Sequence, residues 1–266
     1  MTFIAAIQMV STPVVEENIA TVRRLVEQAA VSNGAQLVLL PEYWPIMGMA
    51  DTDKVAVAEQ PGSGIIQETM ADLARTHGIW LLGGTLPLAS DDPAKVVNTT
   101  LVYDPSGQQV SRYDKIHLFG FNQGDESYNE SRTIVPGRHV GTVDTVAGKV
   151  GMAICYDLRF PELFRAMGPV DLIVLPAAFT YTTGEAHWEL LLRARAIENQ
   201  CYVLAAAQGG THANGRRTWG HSMLVDPWGE VRAVIEEGEG IVGGLVDFGK
   251  IASVRASLPA LQHRTM

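Results

Sequence analysis

Apolar residues in this chain fall into short continuous runs that alternate with longer stretches of helical spacing. Residues 3–9 form a run of strand length, and 16–32 carry apolar positions three and four apart before Asn33-Gly34, a helix stop. The run 36–40 predicts a second strand that leads straight into Pro41-Glu42. A helix over 64–77 precedes a strand at 79–82, ended by Gly83-Gly84. Strands at 97–103 and 109–113 flank Asp104-Pro105-Ser106-Gly107, residue types that suit a hairpin turn. Residues 116–140 are rich in Gly, Asn and charge, and a loop of that length inside a compact unit is usually functional.

The alternation resumes with an apolar run at 150–154, a helix at 161–167, a strand at 171–175 and a helix at 187–199. Strands are predicted at 202–206, 222–225, 231–235 and 241–246. Asp226-Pro227-Trp228-Gly229 repeats the earlier turn chemistry, so each half is expected to end in a similar β unit. No short repeat, low-complexity tract or linker interrupts the pattern, and one α/β domain over 1–266 is expected.

Composition narrows the setting. A chain of 266 residues can bury a sizeable core, and a net charge of −9 disfavours nucleic acid and anionic membrane as partners. Two cysteines, Cys155 and Cys201, argue against a disulfide scaffold and suit a reducing compartment. The first residues lack the basic segment of a signal peptide, and no apolar run approaches the roughly 20 residues that cross a bilayer. The expectation is a cytoplasmic protein.

Several common motifs fail on context. Gly238-Glu239-Gly240-Ile241-Val242-Gly243 has dinucleotide-loop spacing, but its glycines precede strand-like residues instead of opening a helix. Gly62-Ser63-Gly64 lacks the fuller nucleophile-elbow pattern of a serine hydrolase. The histidines and cysteines show no zinc spacing, so neither a metal nor a cofactor is expected.

What remains is a polar set at strand ends. Glu42 follows the run 37–41, Lys115 follows 110–114, and Cys155 ends 150–154 ahead of a turn into the helix at Pro161. Ligands of open α/β sheets gather at the carboxyl ends of strands. A plainer role stays open for each: Cys155 as a small core side chain, Glu42 and Lys115 as a solvated ion pair.

Leu40-Pro41-Glu42-Tyr43, Tyr113-Asp114-Lys115-Ile116-His117-Leu118-Phe119 and Gly151-Met152-Ala153-Ile154-Cys155-Tyr156-Asp157-Leu158-Arg159-Phe160-Pro161-Glu162-Leu163 together resemble the nitrilase superfamily of carbon-nitrogen hydrolases. The resemblance runs from Ala6-Ile7-Gln8-Met9 to Leu258-Pro259-Ala260-Leu261-Gln262-His263-Arg264. It implies a four-layer α-β-β-α sandwich, usually a homodimer, with Glu42, Lys115 and Cys155 as catalytic triad. Glu130, in the long loop, is implied as a second active-site carboxylate.

The chemistry of such a set follows from proton affinities. A free thiol with a pKa of about 8.5 is only slightly ionised near neutral pH, so a base must take its proton during attack. In the roles the resemblance implies, Glu42 is that base. The Lys115 ammonium and the Tyr156 backbone N–H steady the oxyanion formed when Cys155 attacks an amide carbonyl. Glu42 returns the proton to departing ammonia, and water activated by Glu42 and positioned by Glu130 hydrolyses the acyl-thioester.

True nitrilases tend to carry Cys-Trp-Glu, whereas Cys155-Tyr156-Asp157-Leu158-Arg159-Phe160 resembles the branch holding omega-amidase and deaminated glutathione amidase. This implies hydrolysis of a terminal amide on a small carboxylate-bearing molecule, with deaminated glutathione ahead of α-ketoglutaramate and succinamate. Nitrile or N-carbamoyl hydrolysis is the nearest alternative, and a non-catalytic binding protein is a different class. Segments 186–202, 205–212 and 258–264 favour the deaminated glutathione side, while the loop 120–125 departs from the family's usual Phe-Asp. Arg159 suits a substrate carboxylate or an internal pair with Asp157 or Glu162. Phe179, Tyr181 and Thr183 are expected to line the pocket, with loop packing as their plainer role. His117, His187 and Cys201 read as structural.

Overall fold

The computed structural model describes residues 1–123 and 126–265, so Gly124 and Asp125 of the divergent loop lie outside the described residues. Runs rich in Val, Ile and Leu pair as two mixed sheets because strands buried on both faces need apolar side chains on both. In the first, Thr2–Gln8, Leu37–Leu39 and Trp80–Leu82 lie parallel in that order. Antiparallel Gly240–Val246 flanks one side, and Val96–Tyr103 joins the other, pairing with Leu86–Ala89 and Gln109–Asp114. In the second, Gly148–Met152, Leu172–Ala177 and Tyr202–Ala207 are parallel. Gly141–Thr145 flanks them on one side, Ser222–Val225 and Val231–Ile235 on the other.

Period-two alternation turns the sheets into layers. From Thr2–Gln8, Ile4 and Ala6 enter a core shared with Val150, Val174 and Leu204 of the second sheet. Ala5 and Ile7 enter a separate core with Val22, Leu25, Met70 and Leu73, from helices Val15–Glu27 and Ile65–His77. Helices Pro161–Ala166 and Tyr181–Asn199 bring Phe164, Trp188 and Leu192 to the second sheet. The result is the expected α-β-β-α sandwich, each fully buried aliphatic side chain contributing about 1.5–3 kcal/mol.

The observed elements differ from the predicted ones at definable places. The helix expected over 16–32 ends at Glu27 and continues as a π-turn, Gln28–Ser32. The helix expected from 187 begins at Tyr181, because the Thr180 side chain accepts from the Thr183 N–H and caps it. The segment 116–140 contains a hairpin of Gly120–Gln123 with Glu126–Asn129, the short turn Glu130–Arg132 and strand Ile134–Val135. Leu86–Ala89, which carries Pro87, and the helix Phe248–Ser257 lie outside the predicted set. Gly84 sits at φ 57 against the Pro41 carbonyl, where any Cβ would collide, so this glycine lets two strand ends meet beside Glu42.

Candidate active site

The two sheets present their strand ends to one another, and the polar residues that follow those strands meet there. Glu42 comes from the end of Leu37–Leu39 and Lys115 from the end of Gln109–Asp114, both in the first sheet. Cys155 follows Gly148–Met152 in the second. Lys115 Nζ donates to Glu42 Oε1 at 2.8 Å and lies 2.9 Å from the Glu130 carboxylate, with no solvent exposure of its own. Glu130 begins the short turn after the hairpin and also accepts from Tyr43 Oη at 2.7 Å and from the Phe119 N–H at 2.7 Å. The Glu42 carboxylate also accepts from Asn98 Nδ2 and the Ala178 N–H, each at 2.9 Å. This carboxylate is fixed at both oxygens.

Cys155 stands at φ 49, a left-handed conformation that costs an L-residue energy and turns the chain sharply into the 3-10 turn Cys155–Arg159. Asp157 holds the bend. Its Oδ2 accepts from the Ile154 N–H at 2.9 Å and Tyr113 Oη at 2.7 Å, while Oδ1 accepts from the His117 N–H at 3.0 Å and lies 2.7 Å from His117 Nδ1. The turn's first internal bond runs from the Asp157 N–H to the Ile154 carbonyl, so the Tyr156 N–H precedes the ladder. That is where an oxyanion donor would sit.

Charge is strongly biased within this pocket. Burial, then the nearby Glu42 carboxylate, push the Cys155 thiol above its ordinary value, against the pull of Lys115. Burial opposes charge on Lys115, but the Glu130 and Glu42 carboxylates outweigh it and keep the ammonium protonated. Burial likewise opposes charge on Glu130, yet Lys115 and the Phe119 N–H hold its carboxyl below the usual range. The resting arrangement is a neutral thiol beside a carboxylate–ammonium–carboxylate chain.

Around the thiol lies a chamber bounded by Phe119, Tyr156, Phe179, Thr183 and Arg216 as well as the acids. Phe179 and Thr183 therefore take pocket positions. Tyr181 does not border this chamber: the capped helix turns it onto Trp219, and the Arg217 guanidinium lies 3.8 Å over its ring. Arg159 lies over the rings of Tyr156 and Phe179, both of which border the chamber, with Nη1 3.2 Å from His187 Nδ1. Its anticipated partner Asp157 is bound instead to Tyr113, His117 and Ile154. A second chamber shares Phe119, Glu130 and Arg216 with the first and extends to Lys54 and Asp51. Among the described residues no group of His, Cys, Asp and Glu is placed to hold a metal ion.

Sequence reasoning passes over several residues that build the site. Asn98, in the middle of strand Val96–Tyr103, ties Glu42 through its side chain and Lys115 through its backbone carbonyl. A buried amide in the middle of a strand whose other residues are Val, Thr, Leu and Tyr is the signal that marks it. Gln208 Nε2 donates to the Glu42 backbone carbonyl at 3.0 Å and to Ser11 Oγ at 2.8 Å. Lys54 and Arg216 carry no local signal, since only tertiary packing brings them to the outer chamber.

The profile of the family described as Carbon-nitrogen hydrolase matches residues 3–256. The "Deaminated glutathione amidase" of Yersinia enterocolitica is 40% identical over 265 residues, covering 98% of this chain and 92% of that protein. The crystal structure of the C. elegans NitFhit protein superposes with a TM-score of 0.90 at 39% identity over 99% of this chain, which spans 65% of that longer chain. Saccharomyces cerevisiae Nit3, described as a member of branch 10 of the nitrilase superfamily, superposes with a TM-score of 0.88 at 30% identity, covering 100% of this chain and 97% of that one. The matched span contains every strand end that delivers a polar residue to the site, and the chain belongs to the carbon-nitrogen hydrolase family.

Proposed function

We propose that this hydrolase is a cysteine-dependent amidase in which Glu42, Lys115, Glu130 and Cys155 are the catalytic residues. The observation that carries the reading is the Lys115 ammonium, without solvent exposure, held between two carboxylates beside a neutral thiol. Glu42 takes the thiol proton as Sγ attacks the amide carbonyl carbon. The oxyanion is met by Lys115 and the Tyr156 N–H, one such donor being worth roughly 3 kcal/mol. The C–N bond breaks as Glu42 passes the proton to the leaving nitrogen, and an acyl-thioester stays on Cys155. Water, deprotonated by Glu42 and oriented by Glu130, then releases the acid and restores the thiol.

Deaminated glutathione is the substrate we favour, on the resemblance of the Cys155 segment and the 40% identity to an amidase of that name. Its amides are secondary, so the group expelled is an amine rather than ammonia. Arg159 is assigned to a substrate carboxylate and Phe179 and Thr183 to the walls. Release of amine and ammonia is to be followed from deaminated glutathione, α-ketoglutaramate, succinamate, a simple nitrile and N-carbamoyl-β-alanine, with Cys155→Ser as control. Amine release from deaminated glutathione that the substitution abolishes is expected. Ammonia from α-ketoglutaramate or succinamate alone points to an omega-amidase, and no turnover of any member would overturn the amidase reading.

The same resemblance carries a homodimer, and exposed Leu190, Ile197 and Trp228 offer apolar surface for it. Sedimentation velocity is expected to give twice the 28.8 kDa chain mass. Two unpaired cysteines fit a cytoplasmic setting, and no described helix is long and apolar enough to cross a membrane.

A further inference from the structure

We infer that the outer chamber is a leaving-group subsite, in which Lys54 and Arg216 receive a carboxylate on the amine half of the substrate. The inference rests on the amidase reading and adds to it the chemical class of the departing half. Because the two chambers share Phe119, Glu130 and Arg216, a molecule seated at Cys155 and longer than one chamber continues toward Lys54. The leaving nitrogen collects its proton from Glu42, so it departs along the carboxylate wall, and that wall leads through Glu130 and Tyr43 into the outer chamber. Arg159 lies over Tyr156 and Phe179, which border the inner chamber, and is left for the acyl half.

The charges of the outer chamber are arranged for an anion. The Lys54 side chain is only 13% exposed and donates to Thr133 Oγ1 at 3.2 Å; among the described residues its nearest carboxylate, Asp51, is 3.8 Å away and 69% exposed. Glu130, the other acid there, is already engaged by Lys115, Tyr43 and the Phe119 N–H. Arg216 donates from Nη2 to the Ala178 carbonyl at 2.8 Å, whereas its Nε is buried without a hydrogen-bond partner among the described residues. A lysine this enclosed usually has a close counter-ion. Burial lowers the proton affinity of Lys54, a penalty that an incoming carboxylate relieves.

The test compares kcat/KM for deaminated glutathione and for its C-terminal carboxamide, which differ only in the charge at the far end of the amine half. Wild type is expected to prefer the carboxylate by about tenfold or more, the scale of one charge-assisted hydrogen bond. Lys54→Met is expected to erase most of that preference and Lys54→Arg to keep it, with thermal midpoints confirming that both variants fold. Equal use of the two substrates by wild type overturns the inference and leaves the amidase reading standing, as does an undiminished preference in Lys54→Met. Cleavage of neither substrate overturns the inference and the choice of deaminated glutathione, and the amidase reading falls with them only if the rest of the substrate panel is also left intact.

Discussion

Lys115 is shared between Glu42 and Glu130 with no exposure to solvent, so replacing it strands two carboxylates in a buried pocket. Lys115→Met is expected to lower unfolding stability by about 3–5 kcal/mol, read from the denaturant midpoint, as breaking one side of a buried ion pair does. Glu42→Gln keeps the shape but not the base, and a loss of roughly 10²–10⁴ in kcat is expected from steady-state kinetics. Since burial and Glu42 push the Cys155 thiol well above its ordinary value, its alkylation by iodoacetamide should keep accelerating as pH rises through about 9. A plateau reached below pH 8 would contradict the neutral resting thiol. Glu42, Lys115 and Cys155 were legible because each directly follows a strand-like run. Asn98 and Asp157 were not, because their importance lies in bonds to Glu42, Tyr113 and His117 that only the fold creates.

At the scale of elements, the site depends on two sharp turns. Asp157→Ala removes the acceptor for the Ile154 N–H, Tyr113 Oη and the His117 N–H, each a buried or half-buried donor. An unsatisfied buried donor costs about 1–3 kcal/mol, so a lowered thermal midpoint together with reduced kcat is expected. Gly84→Ala forces a Cβ against the Pro41 carbonyl in a left-handed conformation, and a destabilisation of about 1–3 kcal/mol is expected by denaturation. Most strands and the helix Ile65–His77 could be read from the sequence, since the strands are short continuous apolar runs and the helix repeats its apolar residues at three and four. The first turns of Tyr181–Asn199 could not, because 181–186 lacks an apolar stripe and its start is set by the Thr180 cap. Tyr181 was misplaced for that same reason.

For the whole molecule, alternating elements implied a parallel-rich α/β fold, but the facing of two sheets came into view only through the resemblance and the two separate cores. The site lies where the sheets meet, so its charges are tied to global stability. Glu130 titrates below its usual 4.5; its contribution is present above about that pH and drains away as pH falls through the lower folded value. Lys115 titrates above its usual 10.5, so its contribution is complete below that pH and is lost only as pH climbs through the higher folded value. Stability is therefore expected to fall on acidification below pH 4.5, and less steeply in Glu130→Gln, as measured by denaturant midpoints across pH. The most direct test of the account is the rate at which folded Cys155→Ala hydrolyses deaminated glutathione. A fall of about 10⁴-fold or more is predicted for loss of a covalent nucleophile, whereas a rate within tenfold of wild type would contradict thiol attack.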